Sequence, residues 1–123
     1  MFTYVCLGTN NLARAIPFYD AVLGTLGLHR CVTEDEADAD DMVGWGTYED
    51  CGRTEIALWV CQPFDGQPAS VGNGSMVALH ASSWSQVQRF HAVALAHGSG
   101  CRHALHSEHK YHRYADSVAV ANR

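Results

Sequence analysis

The chain has 123 residues, of which 47% are hydrophobic and 17% charged, and its formal net charge is -5 with the eight histidines neutral. That size and balance describe one globular domain (1–123) with a single core. With no densely basic stretch, nucleic acid and anionic membranes are poor partners, and no run approaches the roughly 20 apolar residues of a membrane span.

"MFTYVCLGTNN" has no basic region, long apolar run or A-x-A site, so no secretion signal is read there. Five cysteines (Cys6, Cys31, Cys51, Cys61 and Cys101) are an odd, widely spaced set without a C-x-x-C pair. Reduced thiols and a cytoplasmic location are expected, rather than a disulfide framework or a zinc–cysteine site.

In chain order, "YVCL" alternates like a strand, with Val5 and Leu7 on one face and Tyr4 and Cys6 on the other. Asn10 or Asn11 then caps a helix whose apolar positions include Leu12, Ala15 or Ile16, Tyr19, Leu23 and Leu26. Gly27 stops it, and Pro17 inside it removes one backbone hydrogen bond. "LHRCVT" (28–33) and the glycine-interrupted "MVGWGTY" (42–48) are strand candidates. "TEIALWVC" (54–61) is a third, with Ile56, Leu58 and Val60 on one face and Glu55, Ala57, Trp59 and Cys61 on the other. The intervening "EDEADADD" (34–41) lacks the glycine and closing glutamate of an EF-hand and reads as a solvated loop.

The first unit (about 1–62) ends at a Pro/Gly/Asn/Ser-rich linker (63–75), and a second unit (76–123) opens in the same way. "MVAL" sets Val77 and Leu79 against Met76 and Ala78, Ser83 and Gln86 form a capping box, and a helix runs through Val87, Phe90 and Ala94 to Gly98. At an offset of 72, Val5 matches Val77, Leu7 matches Leu79, Phe18 matches Phe90 and Leu23 matches Leu95. Cap, helix and stop fall in step too, so an internal repeat is expected. Beyond it, "RHALHSEHKYH" places His103, His106, His109 and His112 three apart. A strand would split these histidines between two faces and a helix would spread them round its axis, so a polar loop is the preferred reading.

A βαβββ pattern used twice, with "YVCLGTNNLARAIPFYDAVLGTLGL" opening the first unit and "PFDGQPASVGNGSMVAL" and "VQRFHAVALAHG" opening the second, resembles the vicinal oxygen chelate superfamily of glyoxalases, bleomycin-resistance proteins and extradiol dioxygenases. The resemblance covers residues 2 to about 98. It implies an α+β fold in which two βαβββ-like modules curl their mixed sheets around a cleft, with the helices packed outside. It also implies a divalent metal held by inward residues of each module's first and fourth strands. Carried over singly, those positions fall at Tyr4, Met76 and Trp59, with Glu55 sharing the last face. Tyrosine, thioether and indole are poor ligands for hard cations, so the usual metal site is expected to be absent. Relatives finish with a further turn and strand carrying a glutamate. Here "RYADSVAVANR" resembles the penultimate strand; either the final strand is missing or this end has diverged, and an uncovered edge is expected to be covered by a homodimer or by strand exchange.

The leading expectation is thus a metal-independent binder of a small apolar or aromatic molecule, in a cleft lined by Tyr4, Cys6, Trp45, Tyr48, Trp59, Met76 and His80. Trp45 and Trp59 have plain core burial as their alternative. Two other readings compete. One is a metal-dependent lyase, transferase or dioxygenase with an altered site drawn from Glu55, His80, His106 and His109. The other is a non-catalytic interaction module. No cofactor is expected under the leading reading, and no residue is singled out as catalytic.

Overall fold

A computed structural model describes residues 3–31, 42–48, 55–70, 72, 77–98 and 117–120. The elements are β1 (Tyr4–Gly8), α1 (Leu12–Gly24), β2 (Met42–Tyr48), β3 (Glu55–Cys61), β4 (Val77–His80), α2 (Trp84–Ala96) and β5 (Ser117–Val120). β1, β3 and β2 make one mixed sheet in that order, β1 parallel and β2 antiparallel to the central β3. β4 and β5 make a separate antiparallel pair.

The helices start where the caps require. Asn11 is extended and accepts the Arg14 amide at 2.9 Å, while Ser83 accepts that of Gln86 at 3.3 Å. Each cap satisfies one amide that the first turn leaves without a partner. Only half of the expected capping box forms, because the Gln86 side chain serves two neighbours. Its Oε1 accepts from the Ser82 amide (2.7 Å), and its Nε2 donates to the Thr25 carbonyl at the end of α1 (2.9 Å). α1 carries Pro17 within it, and the chain leaves each helix through a positive-φ glycine, Gly27 (78°) and Gly98 (90°).

Of the strand expected over 28–33, residues 32 and 33 lie outside the described residues, and over 28–31 only a single bridge forms. Arg30 makes an isolated bridge to Trp45, flanked by bonds from the Cys31 amide to the Gly44 carbonyl and from the Gly46 amide to the His29 carbonyl. Among the described residues this bridge continues the sheet beyond β2 by one residue pair. The second unit's described residues hold a strand, a helix and a strand, not a βαβββ series, and β5 runs antiparallel to β4 where β3 runs parallel to β1.

One core joins the helices to the sheet. Val22 and Leu23 of α1 meet Leu58 and Val60 of β3, Trp45 of β2, and Val87, Phe90 and Ala94 of α2. Val5, Leu7, Val43 and Leu79 pack at its margin. Parity thus placed the apolar face correctly for β1, β3 and β4, with one correction. Ile56 shares the face of Leu58 but lies at the strand's beginning, paired with exposed Thr47, and is itself exposed.

Candidate functional site

Trp45, expected in the cleft, belongs to the core. Its register partner is Leu58 on the helix side, it is 1% exposed, and its ring tilts against Tyr19 at 5.3 Å. Its indole N–H donates to Asp20 of α1 at 2.9 Å, which satisfies the one polar atom that burial would strand. Asp20 also accepts from Arg30 Nε and Nη2, one to each carboxylate oxygen, and this partner, ahead of Trp45, holds the carboxyl below its usual range. The sequence offered no pattern for this link, because Asp20, Arg30 and Trp45 lie on three separate segments.

The opposite sheet face is set by the register Tyr4↔Ala57, Cys6↔Trp59 and Gly8↔Cys61, with Gly44 beside Trp59 and Gly46 beside Ala57. Both β2 glycines are needed there. A Cβ on Gly44 would lie 2.7 Å from the Trp59 ring, so the indole occupies space that only glycine leaves. Gly46 has φ 148°, and a Cβ on it would lie 2.1 Å from the Ile56 carbonyl oxygen. Trp59 is buried at 7% exposure on this face, and Tyr4 at its edge is 55% exposed.

At the carboxyl ends of β1 and β3 the face opens into a pocket of about 270 Å³, bounded by Cys6, Gly8, Cys61, Pro63, Phe64, Ala69 and Ser70. Its outer wall is the start of the linker, fixed by a reciprocal pair of bonds. The Asn10 side chain donates to the Ala69 carbonyl (2.9 Å) and accepts the Ala69 amide (2.6 Å). Asn10, one of two candidate caps, is thus the clamp, and the linker over 63–70 is part of the site. Phe64 projects from the wall at 88% exposure. At the floor the Cys6 and Cys61 sulfurs lie 3.1 Å apart. Burial first, and then the neighbouring thiol, push Cys6 up to about 12, so it stands as a thiol at neutral pH.

Of the expected lining residues, Tyr4, Cys6 and Trp59 share this face. His80 ends β4, is exposed, and pairs in register with Ser117. Tyr48 and Glu55 are register partners at the far end of β2 and β3. Met76, His106 and His109 lie outside the described residues, as do the acidic stretch and the other histidines of the tract. The first unit's positions for a hard divalent metal, Tyr4 and Trp59, present a phenol and an indole, with thiols beside them. That donor set does not fit such an ion. Among the described residues no helix is long and apolar enough to cross a membrane.

A small mixed sheet with α1 packed on one face, α2 packed against α1, and an open pocket on the opposite face makes an α+β protein of the glyoxalase-like class. A solved structure of a glyoxalase/bleomycin resistance protein from Albidiferax ferrireducens T118 superposes with a TM-score of 0.67 at 31% identity, over 85% of this chain and 78% of that one. The chain belongs to the glyoxalase/bleomycin resistance family. No family model matches the chain, and neither does any curated protein.

Proposed function

We propose that this protein binds a small, flat, apolar or aromatic molecule in a cleft on the sheet face opposite α1, and sequesters it without a metal. The observation that carries the reading is the pocket at the ends of β1 and β3, with Pro63 and Phe64 as apolar walls. Its 270 Å³ lies just under the usual range for ligand pockets, which suits a compact ligand. The Cys6 thiol is protonated and unactivated, which favours holding over covalent attack. The name of the A. ferrireducens relative, a glyoxalase/bleomycin resistance protein, is compatible with a small-molecule ligand.

The test is a thermal-shift screen against planar aromatic compounds, followed by titration of each hit with the wild type and Phe64→Ala. Ligand at 100 times its Kd adds about 2.7 kcal/mol to stability, or a rise of several degrees for a domain of this size. The expected result is at least one such hit, recovered unchanged after incubation and weakened by Phe64→Ala. Conversion of the compound would replace sequestration with catalysis, and hits that bind only with added metal would overturn the metal-free part of the reading.

A further inference from the structure

The pair of sulfurs under the pocket carries a second chemistry. Cys6 and Cys61 sit on adjacent parallel strands two register steps apart, since the partner of Cys61 is Gly8 and that of Cys6 is Trp59. Strands about 4.8 Å apart rising about 3.3 Å per residue place such diagonal Cα atoms roughly 8 Å from each other. A disulfide needs Cα atoms within about 7 Å and sulfurs at about 2.05 Å, so this pair closes to a disulfide only if the sheet shifts. A bridging atom relaxes both demands. Sulfurs bound tetrahedrally at about 2.3 Å to one cation stand about 3.8 Å apart. The observed 3.1 Å reaches that by small side-chain rotations, with the backbone in place.

We infer that Cys6 and Cys61 form a two-thiolate clip for a soft, thiol-seeking metal cation, entered through the pocket beside Phe64 and Ser70. Thiolate selects soft and borderline cations and is a poor home for magnesium or calcium. The site is therefore different in kind from a hard-metal centre built on imidazole and carboxylate. Binding replaces each S–H bond by an S–metal bond, with both protons passing to water and no change of oxidation state. The pocket leaves the cation's remaining positions open to water or to a small thiol. This clip does not depend on the proposed organic ligand, because its donors belong to the chain.

The decisive experiment titrates reduced protein with cadmium(II) alone and follows the thiolate-to-metal charge-transfer band. It uses the wild type, a Cys31/Cys51/Cys101→Ser triple variant, and the triple variant with Cys6→Ser or Cys61→Ser added. The expected result is one equivalent bound by the triple variant, with affinity falling at least 100-fold when either remaining cysteine is replaced. Circular dichroism checks that each variant folds. Cys6→Ala, which leaves no hydroxyl donor, is the second variant should Cys6→Ser misfold. Unchanged affinity in either pair variant, or no equivalent bound by the triple variant, overturns the clip. An organic ligand found by thermal shift would survive that outcome, so the two proposals fail separately.

Discussion

Leu23 and Leu95 hold matching places in the two halves of the sequence, yet the first is 0% exposed and the second 44%. Phe18 and Phe90 differ in the opposite sense, Phe90 being buried and Phe18 only partly so. α1 buries Tyr19, Val22 and Leu23, whereas α2 buries Val87, Phe90 and Ala94, which match Ala15, Phe18 and Val22. The buried stripe is thus turned round the helix between the two units. The cause lies in what each helix rests on. α1 packs on β2, β3 and α2, while α2 packs on α1 and β5. A repeat in sequence therefore preserves caps and stops, which are local, and loses equivalence in burial, which depends on neighbours.

The sharpest way to break the comparison is in the strands. Gly46→Val puts a side chain where the Ile56 carbonyl stands, in a backbone conformation that β-branched residues avoid. It is expected to cost more than about 3 kcal/mol and to unfold the first unit in urea titrations. Ala78→Val, at an exposed position of β4, is expected to stay within about 0.5 kcal/mol. Equal losses would mean that β4 is as tightly enclosed as the β2–β3 pair.

Next in size is the matched leucine pair. Leu23→Ala should cost about 2–5 kcal/mol, and Leu95→Ala less than about 1 kcal/mol, by denaturation midpoint at constant m-value. The caps should behave alike in both units, and there the repeat is upheld. Asn11→Ala and Ser83→Ala are each expected to cost about 1 kcal/mol. A much larger loss at Ser83 would show that the turn holding Gln86 against Thr25 depends on it.

The smallest effect is electrostatic and confined to the first unit. Arg30 lowers the Asp20 pKa in the folded state, so this contribution is present above the unfolded carboxylate value of about 3.9 and is lost as pH falls through the lower folded value. Both side chains are more than a third exposed, so the pair is worth under about 1 kcal/mol after screening. Asp20→Asn should flatten that acid limb while its amide oxygen still accepts the Trp45 N–H. A limb unchanged in this variant would assign the acid sensitivity to other carboxyls.

What was legible in the sequence follows the same division. Period-2 and helical spacing located six of the seven elements seen among the described residues, because each pattern is written in neighbouring residues, while β5 was read from the family resemblance. Parity also put Cys6 and Trp59 on the face away from the helices. Parity assigned no face to Trp45, since glycines on both sides of it leave no alternation to read; of its two readings, cleft wall or core, pairing with Leu58 and the bond to Asp20 favour the core. Gln86 announced a capping box and its reach to Thr25 did not show, because that partner lies 61 residues away. The Asn10–Ala69 clamp was hidden for the same reason, with 59 residues between its ends.

The pairing of β1 with β3 has a kinetic consequence. Tyr4 and Ala57 are register partners, and 57 − 4 gives a separation of 53 residues, whereas the β2–β3 pair begins at Tyr48 and Glu55, only 7 apart. Loop-closure entropy grows with the logarithm of the span, so the hairpin closes first and β1 inserts afterwards along an edge already formed. The rate of folding is then governed by β2 and β3, and changes in β1 act chiefly on the rate of unfolding. Because β1 carries Cys6, the pocket and its thiol pair are among the last features the chain completes.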